Sequence, residues 1–285
     1  MLPEYYKEKL ILSNKSNKSE VTELSLFITN NAFIYALSSK NFNDIHQIVH
    51  VAFDSYLTTK LNLCDKVSFL IANYQLAYVK VETILITILT KDFTLVPESY
   101  SKQSDIKDFL IFSTGNLEIK NTQQHTIKNV KFCYSIEQSL IQYLEKTFNK
   151  ANIRHSGAIN SDLFFSSHSL VKNNLFLNIN DGVIELMAKE NNELLFYNVF
   201  NFEKNEDILY YLLFMMEQFK LNPLNTKLAI AGQIETNDSL ILSIKKYIKQ
   251  VYFAINNSEI KLEGELSNLP QHYYFTLLNQ HLCVL

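Results

Sequence analysis

Tryptophan is absent from this 285-residue chain, and glycine and proline are scarce, at five and four residues. So few glycines leave little material for loops whose backbone amides wrap phosphate. The P-loop, the Gly-rich dinucleotide fingerprint and the GxSxG elbow are all missing from the sequence. Cysteine is limited to Cys64, Cys133 and Cys283, an odd number, widely spaced and without a CxxC pair. Each lies among apolar neighbours, so buried free thiols are expected in place of a disulfide or metal centre. A net charge of −3 supplies no electrostatic footprint for nucleic acid or an anionic membrane. The longest strongly apolar uncharged run, Ile208 to Met216, is nine residues and too short to cross a bilayer. The first residues, Met1-Leu2-Pro3-Glu4-Tyr5-Tyr6-Lys7, lack the apolar stretch of a signal peptide. A cytoplasmic protein with no membrane span is the expectation.

Hydrophobic residues make up 47% of the chain and charged residues 19%, enough apolar material for a core in one large domain or two of ordinary size. The most informative feature is a repeat. Leu24-Ser25-Leu26-Phe27-Ile28-Thr29-Asn30-Asn31-Ala32-Phe33 aligns with Leu175-Phe176-Leu177-Asn178-Ile179-Asn180-Asp181-Gly182-Val183-Ile184. Each copy alternates apolar residues, breaks at a two-residue polar turn and resumes, as a β-hairpin does. A duplicated unit has a cleft between its halves, where ligands commonly bind.

In the first half, strands are predicted at 22–29 and 32–38, with residues 13–20 a polar loop. Asp44–Phe53 fits both a helical stripe and a strand; the strand is preferred because it completes a three-strand meander. A helix within 56–76, strands at Val81–Leu89 and Phe93–Pro97, a short helix at Ser104–Phe112 and a strand at Val130–Tyr134 follow. Ser135-Ile136-Glu137-Gln138 reads as a capping box opening a helix that turns Leu140, Ile141, Leu144 and Phe148 inward. In the second half, a short strand near 152 and a helix around 158–170 precede strands at 174–180, 183–189 and 193–200. Asn205 is expected to cap a helix that is apolar nearly all round and therefore buried. A strand at Lys227–Ala231, a helix capped by Asn237 or Asp238, a strand at 251–255 and a closing helix at 270–281 complete the chain.

Written out, the second half is β-β-β-α-β-α-β, and the first half is nearly the same string with insertions. With Leu95-Val96-Pro97 after the central strand and Leu228-Ala229-Ile230-Ala231-Gly232 late in the second half, this order resembles the actin-like ATPase superfamily. The likeness is to its PilM and FtsA branch of bacterial pilus-assembly and division proteins, and more closely to an uncharacterised bacterial family that is a degenerate member of that branch. The resemblance covers residues 22–285 and implies an α/β protein of two tandem ribonuclease H-like subdomains. These would occupy 22–151 and 152–285, after an N-terminal segment at 1–21.

Carried over residue by residue, the superfamily's phosphate motifs mostly fail. The first turn, Ile28-Thr29-Asn30-Asn31, has no acid to organise Mg²⁺ and no glycine. In the second, Asn178-Ile179-Asn180-Asp181-Gly182, the leading acid is Asn178 and one glycine survives; Asp181-Gly182 is also a preferred pair for a plain type I′ hairpin turn. Ala231-Gly232-Gln233 matches the adenosine-contacting turn. If a nucleotide binds, Asp181, Gly182 and Gly232 are the cofactor-binding candidates, with ATP and Mg²⁺ as the ligand.

Elsewhere, a two-metal nuclease centre would need carboxylates on the first strand, which has none after Glu23. His46 and His50 would lie ~13 Å apart on a strand and are expected to be ordinary polar-face residues. His155, just before a helix, is read as a buried hydrogen-bonding group or, alternatively, an anion contact. No catalytic or metal residues are assigned. The expected function is a non-catalytic binding or scaffolding protein, leaning against an enzyme, with a protein partner or self-association; the alternative is a divergent ATP-binding protein with weak or no hydrolysis. Fold alone does not decide between them.

Overall fold

Both copies of the repeat fold as hairpins in the same register. In the computed structural model, which describes residues 2–4, 6–14, 20–39, 42–54, 61–100, 106–166, 170, 172 and 174–283, β2 (Glu23–Ile28) pairs with β3 (Ala32–Ser38), closing on Ile28 opposite Phe33. Half a chain later β10 (Leu175–Asn180) pairs with β11 (Val183–Glu190), with Ile179 opposite Ile184 in the matching position and Asn180 opposite Val183 closing the pair. Every residue of β2 and β10 is buried, because each strand is central in its sheet and covered on both faces.

The second half then adds β12 (Glu193–Asn201), α5 (Asn205–Gln218), β13 (Lys227–Gly232), α6 (Ser239–Tyr247) and β14 (Gln250–Phe253). Its sheet runs β12-β11-β10-β13-β14, the β-β-β-α-β-α-β unit expected. The first half follows the same order through β4 (Ile45–Phe53), α1 (Leu63–Asn73), β5 (Thr83–Ile88), α3 (Gln138–Thr147) and β9 (Asn152–His155). Between β5 and α3 lies an insertion: β6 (Phe93–Pro97), α2 (Ile106–Thr114), β7 (Gln123–Ile127) and β8 (Val130–Tyr134). These strands form a separate sheet in the order β6-β8-β7. β7 was not foreseen; its Gln-Gln-His-Thr-Ile sequence has no apolar alternation.

The first sheet is β1-β4-β3-β2-β5-β9, and it corrects two boundaries. Tyr6–Ser13, placed outside the fold by the sequence reading, forms β1 and pairs antiparallel with β4. Its Lys7-Glu8-Lys9 run masked the strand, because an edge strand tolerates charge. Residues 152–155, expected to open the second half, pair parallel with β5 and close the first sheet. The passage between sheets is therefore α4 (Ser156–Ser166), which follows directly. β4 is a strand, as preferred; Ile48, Val49 and Val51 are all buried because both its faces are covered, which is why its pattern also fits a helix.

Three local details differ from expectation. α3 starts at Gln138 with Glu137 in the capping position, and no capping box forms: the Ser135 N–H continues the chain's bond to the Asp92 carbonyl, while Gln138 accepts from Asn121. α5 is capped one residue earlier than expected, at Lys204, where the Asp207 carboxylate accepts from the backbone N–H of Glu203 and Lys204. α5 is also not buried all round, since it is an outer layer: Ile208, Leu212, Met215 and Met216 face the sheet, but Tyr210 is 61% exposed. The expected loop at 15–19 and helical positions at 56–60, 104–105 and 167–169 lie outside the described residues.

After β14 the chain returns to the first half. Lys261 donates its N–H to the Asn43 carbonyl, Glu263 and Glu265 accept from Asn14 and Ser13, and Thr87 donates to Gln280. The closing helix is shorter than expected: α7 is only Phe275–Asn279, followed by a 3-10 turn at Gln280–Cys283. α4 and α7 lie in the core that joins the first sheet to the facing side of the second, through Ile159, Phe164, Phe176, Phe275 and Met187. A second core packs α5 and α6 on the opposite side of the second sheet. Among the described residues no helix is long and apolar enough to cross a membrane.

Gly157, in the first turn of α4, has no room for a side chain: a Cβ would lie 2.6 Å from Phe132 and 2.7 Å from Tyr197. Gly157→Ala is expected to destabilise the chain by about 1–3 kcal/mol through overpacking, measured as a lower urea midpoint with an unchanged m-value.

Candidate functional site

The two hairpin turns meet. The Asn31 side-chain amide in the first turn donates to the Asp181 carbonyl in the second at 2.8 Å. In the first turn the Thr29 hydroxyl accepts from the N–H groups of Asn31 and Ala32, at 3.0 and 2.9 Å, so those amides are spent inside the turn. In the second, Gly182 takes a φ of +63°, and a Cβ there would press on the Asn31 amide. A cavity of about 650 Å³ opens beside both turns, lined by Lys9, Asn31, Asp181, Gly182 and Glu203, and a much smaller one, about 20 Å³, lies between the first turn and Val183, Val199 and Asn201.

The Asp181 carboxylate is engaged on both oxygens. Oδ2 lies 2.6 Å from Nε2 of His50, and Oδ1 is ion-paired with Lys9 of β1. The other ring nitrogen of His50 is 3.1 Å from the Tyr274 hydroxyl. Burial alone would raise the Asp181 carboxyl, but the hydrogen bonds and charges of His50 and Lys9 outweigh it and hold the group below its usual range. His50 is therefore not the polar-face residue expected; it is buried and ties the first sheet to the second hairpin and to the residue that leads into α7.

Asn178, at the position of the missing acid, points into a second buried cluster. Its amide donates to Glu185 at 2.9 Å and to Thr276 at 3.1 Å. Glu185, fully buried, also accepts from Asn160 at 2.9 Å and Tyr197 at 2.8 Å. Burial pushes the Glu185 carboxyl up, and the donors from Tyr197, Asn178, Ser156 and Asn160 restrain that rise. Thr276 completes the ring by donating to Asn160 at 2.9 Å. One carboxylate thus holds together α4, β10, β11, β12 and α7.

Gly232, the third candidate, ends β13 with a φ of +95°, and a Cβ there would land on the Ile179 carbonyl oxygen. Its N–H donates to the His272 carbonyl at 2.9 Å, and Gln233 donates to Ile179 at 2.8 Å. The chain's own His272–Tyr273 segment lies against this turn. The glycine is required by the close approach of two backbones.

His155 is buried in a box of Phe93, Phe132, Tyr134 and Tyr197 rings. Its Nδ1 accepts from the Gly157 N–H at 2.8 Å, which leaves Nε2 as the protonated nitrogen, donating to the Thr90 carbonyl at 3.0 Å. It is the buried hydrogen-bonding group, not an anion contact. His46 lies on β4 with His50, and among the described residues no three His, Cys, Asp or Glu side chains are placed to hold a metal. All three cysteines are free thiols; burial pushes Cys133 up to about 11 and Cys283 up to about 12, values that disfavour a nucleophilic thiolate. A larger cavity, about 680 Å³, lies beside β7, β9 and α4. In it Asp162 bridges His125 and Arg154 at 2.8 Å each, and Lys128 lies over the Phe165 ring.

The sequence profile of the DUF3822 family, described as a protein of unknown function, matches residues 12–251. The chain belongs to that family. Among solved structures it is similar to a Bacteroides thetaiotaomicron protein with an actin-like ATPase fold and unknown function, at 20% identity and a TM-score of 0.70, over 85% of this chain and 95% of that one. It is also similar to a chain of the PilM–PilN type IV pilus biogenesis complex, at 10% identity and a TM-score of 0.62, over 93% of this chain and 98% of that one. No curated protein sequence matches. The likenesses establish the fold of this DUF3822 protein as the actin-like ATPase fold.

Two outcomes follow from the geometry. Burial lowers His155 to about 4, so between there and its unfolded value of about 6.5 the unfolded chain binds more protons. Its stability contribution is complete above about pH 6.5 and falls by about 3 kcal/mol as the pH drops to about 4, with His272 and His281, also lowered by burial, acting in the same direction. Chemical denaturation across that range should show the loss, with a shallower slope in His155→Asn. Gly232→Ala should cost about 3 kcal/mol or more, or abolish folding, without nucleotide in the assay.

Proposed function

We propose that this DUF3822 protein is a non-catalytic binding or scaffolding protein on an actin-like fold, with a protein as its ligand. The observation that carries the reading is the state of Asp181. To serve a nucleotide, Asp181 would have to face a metal or its waters, whereas it is committed to His50 and Lys9 beneath a turn already capped by Asn31. The amides that would wrap a phosphate are bonded within the first turn.

A protein ligand is supported by the PilM likeness, since that structure is a complex of PilM with PilN. We take the cytoplasm as the compartment, an assignment supported by three cysteines kept as free thiols.

A thermal-shift titration with millimolar ATP, ADP and GTP, each with and without Mg²⁺, is expected to be flat. A ligand present at a hundred times its Kd would add about 2.7 kcal/mol, a rise of several degrees. A saturable rise that Asp181→Ala removes would return the chain to the alternative, an ATP-binding protein with a divergent site.

A further inference from the structure

The second sheet ends on an open strand edge. β14 is bonded to β13 on one side only. Ala254 donates its N–H to the Ile230 carbonyl at 2.8 Å. Because the hydrogen-bonding groups of successive strand residues point to opposite edges, those of Gln250 and Tyr252 also face β13. The N–H and C=O of Val251 and Phe253 face away, and no described residue bonds them on that side.

Of the devices that guard a sheet edge, β14 keeps its shortness, four residues, but lacks charge, proline and a bulge. β1, at the edge of the first sheet, carries Lys7-Glu8-Lys9 and an irregularity between Glu8 and Leu10. β12, at the other edge of the second sheet, opens with Glu193, and its Leu194 N–H is taken by the Asn129 side chain. β14 reads Gln-Val-Tyr-Phe, without charge or proline. Tyr247, Tyr252 and Ile255 beside it are 50%, 49% and 54% exposed. From Ser239 to Ser258 the chain carries Lys245, Lys246 and Lys249 and not one Asp or Glu.

We propose that β14 is a strand-addition site for an extended, acidic segment of a partner protein. The partner's backbone would bond to Val251 and Phe253, its apolar side chains would cover Tyr252 and Ile255, and its carboxylates would meet the lysines. This inference rests on reading the chain as a binding protein, and it names the surface and the chemistry of the partner.

The test is selection of a random dodecapeptide library, displayed on phage, against the immobilised full chain. Enriched peptides are expected to alternate Asp or Glu with Val, Ile or Tyr. Val251→Pro removes one outward N–H and leaves the β13 ladder intact, a substitution edge strands accept; it should weaken the selected peptides roughly tenfold. The surface variant Lys245→Glu/Lys246→Glu/Lys249→Glu should weaken them at least as much and favour lysine-bearing versions instead. Peptides that bind both variants like the wild type, or no enrichment over the starting library, would overturn the proposal. The two readings fail separately. A saturable nucleotide shift with peptide binding still lost in both variants removes the non-catalytic reading and keeps this surface; a flat nucleotide titration with no enrichment does the reverse.

Discussion

The contact on which this molecule turns is the meeting of the two hairpin turns, with the Asp181 carboxylate shared between His50 and Lys9. It draws on three distant parts of the chain: the N-terminal edge strand β1, its neighbour β4 and the repeat's second turn. Because Tyr274 backs His50, the C-terminal segment is drawn in as well. A carboxylate this buried is tolerable only when its partners and hydrogen bonds offset the loss of water. The positions of β1, β4, β10 and the start of α7 are therefore mutually dependent.

The Glu185 cluster performs a related task one layer deeper. Without a cation in contact, its charge is supported by neutral donors from Asn178, Asn160 and Tyr197. A half-satisfied version of such a network would be worse than an apolar core, so its members act as a set. Their effect is positional, because α4 and α7, the two helices lying between the sheets, both contribute to it.

Much of the fold could be read locally and most of the site could not. The hairpins, the β-β-β-α-β-α-β order and the Asp238 cap depend on period and turn chemistry within a few residues, and they are visible as such. β1 was hidden because Lys7, Glu8 and Lys9 stand where an apolar alternation was sought, and the capping box at Ser135 was lost to a tertiary demand from Asp92. Asp181, Gly182 and Gly232 were legible as turn residues. The roles of His50, Lys9 and Tyr274 depend on the register of β1 on β4 and on where the C-terminal segment returns, facts with no local signal. Glu185 is one acid inside Val-Ile-Glu-Leu-Met-Ala-Lys-Glu, and nothing nearby in sequence shows that its partners come from three other elements.

The same geometry sets what an acid at position 178 would meet. An aspartate at Asn178 would bring a second carboxylate against Glu185, in a pocket where Asn178 now donates at 2.9 Å. Two like charges in so dry a place force one to take up a proton, and a protonated acid does not organise a metal. Removing Glu185 as well would strand Asn160 and Tyr197 without their acceptor. Freeing the turn amides would further require replacing Thr29. The packing of the two turns is thus a property of many residues that satisfy one another, not of any single motif.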